Sequence, residues 1–175
     1  MNRPRPTMNN TVAALAAISL FVGAPAGAAD EVVQGTVTAV GSGDTFTIGT
    51  DGRPTVVRLS DINAPHGSEF YAPASRTLLT ALLLGKPVRV VVHGRWGDGN
   101  VFGRVFAGEL DVNLEMVRRA AAFVCWDFVQ QTDYAPWEAN AKRERRGLWS
   151  QTWEIEARGA CLRRPPVELP PAKPG

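Results

Sequence analysis

Between Glu31 and Leu59 the chain reads as three short strands joined by two tight turns, which commits this stretch to antiparallel sheet. Glu31 to Val40 (EVVQGTVTAV) is rich in β-branched residues and loosely alternates, the pattern of a strand with one face buried. Gly41-Ser42-Gly43 signals a turn, and Thr45 to Gly49 opens a second strand. Asp51-Gly52 marks a short hairpin, from which Thr55 to Leu59 (TVVRL) returns as a third.

The pattern then changes period. After a loop with Pro65 and Gly67, a helix is predicted from about Pro73 to Leu84: Pro73 suits its first turn, Leu78, Leu79, Leu82 and Leu83 form an apolar flank, and Gly85 ends it. Pro87 to His93 is a fourth strand, and Val101 to Phe106, beyond the Gly-rich turn from Gly94 to Asn100, is a fifth. Asp111 is an N-cap for a second helix with Leu114, Val117 and Ala121 inward. Thr132 or Asp133 caps a third, with Tyr134, Trp137 and Ala141 on one face. Its basic end, Lys142 to Arg146, complements the helix dipole, a better reading of the cluster than a nucleic-acid patch. Five strands with these helices predict an α+β fold, a five-stranded OB-fold β-barrel with three α-helices.

At 175 residues and 45% apolar, the chain is long enough for one domain with a real core, and it is no collagen, long coiled coil or wholly disordered polymer. Its formal charge of +2 hints at a polyanionic partner, but two arginines sit in a leader. Arg3 and Arg5 precede the apolar run Thr11 to Ala24, and Ala26-Gly27-Ala28 is an A-x-A cleavage site, so residues 1–28 read as a signal peptide. A membrane anchor is the weaker reading, because the apolar run is short and ends in Pro and Gly. Cleavage takes the basic count from 19 to 17, equal to the 17 acids, so a case for nucleic acid must come from a local site. The expected location is exported, periplasmic or secreted, with no stable membrane association after cleavage. Residues 31–150 form the expected folded domain, and residues 151–175 a C-terminal extension whose proline-rich end is flexible.

Cys125 and Cys161 are an even pair in a chain expected to be exported, which favours one disulfide over two separate thiols. They form no CxxC or Cys/His cluster of the kind that holds structural zinc.

The most specific signal is an ordered set of short motifs. Val40-Gly41-Ser42-Gly43-Asp44-Thr45-Phe46 precedes Val57-Arg58-Leu59-Ser60-Asp61-Ile62-Asn63-Ala64-Pro65-His66; later come Phe102-Gly103-Arg104, Asp111-Val112-Asn113 and Arg146-Gly147-Leu148-Trp149. Together these resemble the staphylococcal nuclease (thermonuclease-like) family over roughly Val32 to Trp149. The resemblance implies an OB-fold barrel that hydrolyses phosphodiesters of DNA or RNA, usually with calcium. The expected partner is single-stranded or flexible nucleic acid, acted on by a monomer.

That chemistry needs cationic groups on the phosphate oxygens, a hard cation on oxygen ligands, and a base for the attacking water. Arg58 and Arg104 match the family's two phosphate-binding arginines, and Asp44 its first metal carboxylate. Three other acidic positions of the family fall on Ser42, Asn63 and His66. Calcium affinity rises with ligand charge, so a site built on Asp44 and Asn63 is expected to hold the ion poorly. Another divalent metal, or none, is the alternative. His66 carries three readings: a general base, since imidazole titrates near neutrality; a transition-metal ligand beside Asp44; or an exposed loop histidine. Asp61 and Glu69 are nearby carboxylates, Asp61 sharing strand parity with Asn63. Phe102 falls where the family carries a tyrosine before its glycine-arginine pair and can stack without the hydroxyl; Trp126 and Phe128 fall where it carries aromatic rings lining the cleft, the alternative for these two being core.

Two functions follow as expectations: a phosphodiesterase with an arginine-clamped site and partly replaced metal carboxylates, or a catalytically inactive OB-fold module that binds nucleic acid or a protein partner.

Overall fold

The structure is a computed structural model that describes residues 1, 30–50, 52–126, 133–151 and 161. The leader beyond its first residue, Phe128, Thr132 and almost all of the C-terminal extension lie outside the described residues.

The expected strands are present as β1 (Val32–Val40), β2 (Thr45–Thr50), β3 (Arg53–Leu59), β5 (Pro87–Trp96) and β6 (Asn100–Ala107). Three two-residue strands join them: β4 (Ile62–Asn63), β7 (Leu110–Asp111) and β8 (Phe123–Val124). The helices are α1 (Ala72–Leu83), α2 (Val112–Arg118) and α3 (Ala135–Arg143), followed by a 3₁₀ turn over Gly147–Ser150.

The main sheet runs β3-β2-β1-β5-β6-β7, and a further pairing of β3 with β6 closes its first five strands into a barrel. That closing pair is parallel (Val57↔Val101, Arg58↔Phe102, Leu59↔Gly103), whereas the other pairs are antiparallel, so the barrel is mixed. β2 and β3 pair from Thr45↔Arg58 to Thr50↔Arg53, and Gly52 takes the positive φ (78°) that a tight hairpin requires. The architecture is the expected α+β OB-fold barrel with three helices.

Alternation sorts the strand residues. Phe46, Ile48, Val57, Leu59, Val101 and Val105 point inward and are buried with Leu79 and Leu83 of α1 and Met116 and Val117 of α2. Burying each of these side chains stabilises by about 1.5–3 kcal/mol. Arg58, Phe102 and Arg104 take the opposite parity and stand on the outer face.

Buried polar side chains lock the layers. Asn113, at the start of α2, donates from Nδ2 to the Ser60 carbonyl (2.9 Å) and accepts at Oδ1 from the Val105 amide (3.0 Å). The Ser60 amide in turn donates to the Gly103 carbonyl at 2.9 Å. One amide side chain thus fixes the end of β3 against the middle of β6, the two strands that carry Arg58 and Arg104.

Two helix details differ from the sequence expectation. Asp111 caps α2 as predicted, its carboxylate accepting from the Leu114 amide at 3.1 Å. The residue before α3, however, is Tyr134, with no side-chain cap; Asp133 turns its carboxylate to Arg104 instead. On α3, Tyr134 and Ala141 are buried but Trp137 is exposed. The buried partner is Glu138, which accepts from the Val124 amide (2.8 Å), the Trp126 indole (2.9 Å) and Lys142 (2.9 Å).

Cys125 and Cys161 form a disulfide, 36 residues apart in sequence.

Candidate functional site

The turn between β1 and β2 delivers Asp44 into the molecule. Gly43 is required there by space: a Cβ would lie 2.5 Å from the Ser75 Cβ and 2.7 Å from the Ala64 Cβ, so only glycine lets this turn pack between α1 and the segment after β4. The Asp44 carbonyl accepts from the Leu59 amide at 2.9 Å, and the Thr45↔Arg58 register sets Arg58 beside it.

Six polar side chains meet at this point: Ser42, Asp44, Thr45, Arg58, Asn63 and His66. Asp44 is fully buried. Its Oδ1 accepts from the Ser42 hydroxyl (2.7 Å) and the Thr45 hydroxyl (3.0 Å). Its Oδ2 accepts from the Ala64 amide (3.2 Å), lies 3.3 Å from His66 Nε2 and is 3.7 Å from Arg58 Nη2. Asn63 Oδ1 accepts from Arg58 Nη2 at 3.0 Å and lies 3.3 Å from His66 Nε2. Burial alone would push the Asp44 carboxyl up. The His66 hydrogen bond and charge, then the Arg58 charge and the Ser42 hydroxyl, outweigh it and bring the group down to about 2.

His66 is not an exposed loop residue: its side chain is 13% exposed, and its amide donates to Glu69 Oε2 at 2.7 Å. That bond shows where the Glu69 carboxylate goes. Asp61 does not share the direction of Asn63. It adopts a positive φ (64°), which breaks strand parity between β3 and β4. Its carboxylate accepts from the Ser60 hydroxyl (3.2 Å) and lies 3.9 Å from His93 Nδ1. Burial raises the Asp61 pKa, with His93, Ser60 and Arg104 pulling partly the other way.

Arg104 occupies a carboxylate cluster of its own. Its Nε donates to Asp111 Oδ2 at 2.6 Å, its Nη2 reaches the same oxygen at 2.5 Å, and Nη2 also donates to Asp133 Oδ2 at 3.1 Å. Partial burial works against its charge, but the Asp111 hydrogen bond and the nearby acids raise its pKa. Sequence reasoning assigned Asp111 only its capping role and Asp133 a cap it does not make. An aspartate just outside each of two helices was the visible signal.

The aromatic residues flank these groups. Phe102 stands opposite Arg58 in the barrel's closing pair and is 38% exposed. Its ring lies over Gly94, where a Cβ would come within 2.4 Å of it, and 6.4 Å from the Trp96 ring. Trp126 is exposed, not core, and its indole is oriented by Glu138, a residue the sequence reading passed over. It follows β8, whose Phe123 pairs with Asn63. The position of Phe128 lies outside the described residues.

Among the described residues no group of three or more His, Cys, Asp or Glu side chains is placed to hold a metal ion, and no helix is long and apolar enough to cross a membrane.

The arrangement can hold an anionic, tetrahedral group near Arg58 and present an imidazole whose Nε2 is fixed by Asp44 and Asn63. Comparison with known proteins agrees with the motif resemblance. The chain is 31% identical over 119 residues to an uncharacterized endonuclease of Escherichia coli, covering 67% of this chain and 78% of that protein. It is 30% identical over 121 residues to an uncharacterized endonuclease of Haemophilus influenzae (69% and 68%). It is 30% identical over 158 residues to a micrococcal nuclease of Shigella flexneri (82% and 89%). Residues 56–151 match the family described as staphylococcal nuclease homologues, and with the barrel, the helices and the motif order in agreement, the chain belongs to that family.

Proposed function

We propose that this protein is an exported hydrolase of phosphodiester bonds in single-stranded or flexible nucleic acid, its reaction carried by Arg58, Arg104 and His66. The observation that carries the reading is the convergence of Arg58 and His66 on the buried carboxylate of Asp44, with the Asn63 side-chain oxygen within reach of both. Membership of a nuclease family supports the substrate class, and the disulfide supports an oxidising compartment.

In this reading Arg58 binds a non-bridging oxygen of the scissile phosphate and offsets the negative charge that grows in the transition state. Arg104 serves a second oxygen after exchanging Asp133 for substrate. His66 takes a proton from the attacking water as the new phosphorus–oxygen bond forms, and the departing oxygen leaves with the electron pair of the broken bond and is protonated from solvent. Asp44 and Asn63 position these groups. Phe102 and Trp126 offer exposed faces on which bases stack.

The donor set does not fit the calcium ion usual in the family. Calcium takes six to eight oxygen ligands and favours several carboxylates. Here the matched positions supply one carboxylate, and Asp44's roughly four lone-pair sites already accept from Ser42, Thr45, Ala64 and His66. The Asn63 oxygen already accepts from Arg58.

The test is digestion of single-stranded DNA and RNA by wild-type protein and Arg104→Ala. A loss of about 10²–10³-fold in the variant supports the arginine clamp. Wild type that binds oligonucleotide and cleaves nothing is instead the binding module.

A further inference from the structure

A cleft of about 670 Å³ opens between the β1–β2 turn and α1. Ser42 and His66, both bonded to Asp44, form part of one wall, so the cleft continues the candidate site. Pro65, Pro73 and Ala81 give it apolar surface, and Arg76 of α1 stands in its lining. Its volume is typical of a small-ligand site, and its lining combines apolar surface with one fixed cation.

Arg76 differs from Arg104 in one respect. Arg104 is held by two carboxylates, whereas Arg76, among the described residues, has no carboxylate partner. Its Nε donates to the Val40 carbonyl at 3.2 Å, which anchors the guanidinium at the cleft. An anchored guanidinium with no carboxylate on it among the described residues is suited to a phosphate, which it binds through two parallel N–H donors.

We propose that this cleft is a nucleotide subsite: Arg76 holds the phosphate next along the substrate strand, and that nucleotide's sugar and base lie against Pro65, Pro73 and Ala81. The inference rests on the phosphodiester reading above and adds a substrate-length requirement, because a strand too short to place a second phosphate on Arg76 loses this contact. Continuity with His66 and the charge of Arg76 together select a nucleotide over a neutral ligand.

The experiment measures binding of a labelled, cleavage-resistant phosphorothioate tetranucleotide by fluorescence anisotropy across a salt series. Arg76→Ala is expected to weaken binding five- to tenfold and to lower the salt slope by about 0.7, the value for one phosphate contact on a single strand. Ala81→Trp fills the cleft without changing charge and is expected to weaken binding as well. Arg53→Ala removes the same charge at the β2–β3 hairpin and is expected to stay within twofold of wild type. Wild-type affinity in Arg76→Ala and Ala81→Trp overturns the subsite, as does an equal loss in Arg53→Ala. Wild type that binds the tetranucleotide but cleaves no natural strand refutes hydrolysis, while the variant comparison still decides the cleft. Wild type that binds no oligonucleotide overturns both.

Discussion

His66 Nε2 lies 3.3 Å from Oδ2 of Asp44, a carboxylate with no exposed surface. The imidazole and the Arg58 guanidinium keep that buried group ionised, its pKa near 2 against an ordinary 3.8. Because the folded value is the lower one, the stabilisation is complete above about pH 4 and is lost as pH falls through 2. Urea unfolding between pH 5 and 2 is expected to show about 2 kcal/mol more acid-dependent loss in wild type than in Asp44→Asn. Parallel curves for the two proteins refute the coupling.

Asp133 is bonded to Arg104 at 3.1 Å, so under the proposed mechanism it competes with the substrate phosphate for that guanidinium. Asp133→Asn leaves Arg104 on Asp111 alone, and oligonucleotide binding is expected to tighten two- to fivefold at low salt. The Asp133 carboxylate is 45% exposed, so stability should change by less than about 0.5 kcal/mol. Weaker binding in this variant would show that Asp133 orients Arg104 for substrate and does not compete with it.

Asp111 serves two partners, the Leu114 amide and Arg104. Asp111→Ala should therefore cost more than a simple cap, about 2 kcal/mol or above in chemical denaturation. A cost within 0.5 kcal/mol, on the order expected of a free surface site, contradicts the double role.

The disulfide joins residues 36 apart. On the chain-entropy description its reduction should lower stability by about 4 kcal/mol. Comparing unfolding midpoints of the oxidised protein and a Cys125→Ser, Cys161→Ser variant checks this, and equal midpoints would contradict it.

Much of this molecule is legible from local pattern. The five long strands and α1 follow from alternation and spacing, and Asp111 caps α2 as its position suggests. The two-residue strands β4, β7 and β8 carry too few residues to show a period, and the parallel closure of β3 on β6 is a contact between distant segments with no local signal. At the site, motif order brought out Asp44, Arg58, Asn63 and His66, which do converge. It missed the partners of Arg104, because an aspartate beside a helix reads first as a cap. Strand parity failed at Asp61, where one positive φ turned the side chain toward His93. Glu138 and Arg76 went unnoticed because a charged residue on a helix reads as solvated until the fold shows what it touches.

In the proposed mechanism His66, held by the buried Asp44, acts with Arg58 and Arg104 in phosphodiester hydrolysis without the calcium usual in the family. Digestion of single-stranded DNA and RNA, with calcium and with chelator, for wild type and His66→Ala, tests it most directly. Wild-type cleavage is expected to survive chelation and to fall about 10²–10⁴-fold in His66→Ala, the usual contribution of a general base. Cleavage that appears only with calcium, or that His66→Ala leaves intact, contradicts it.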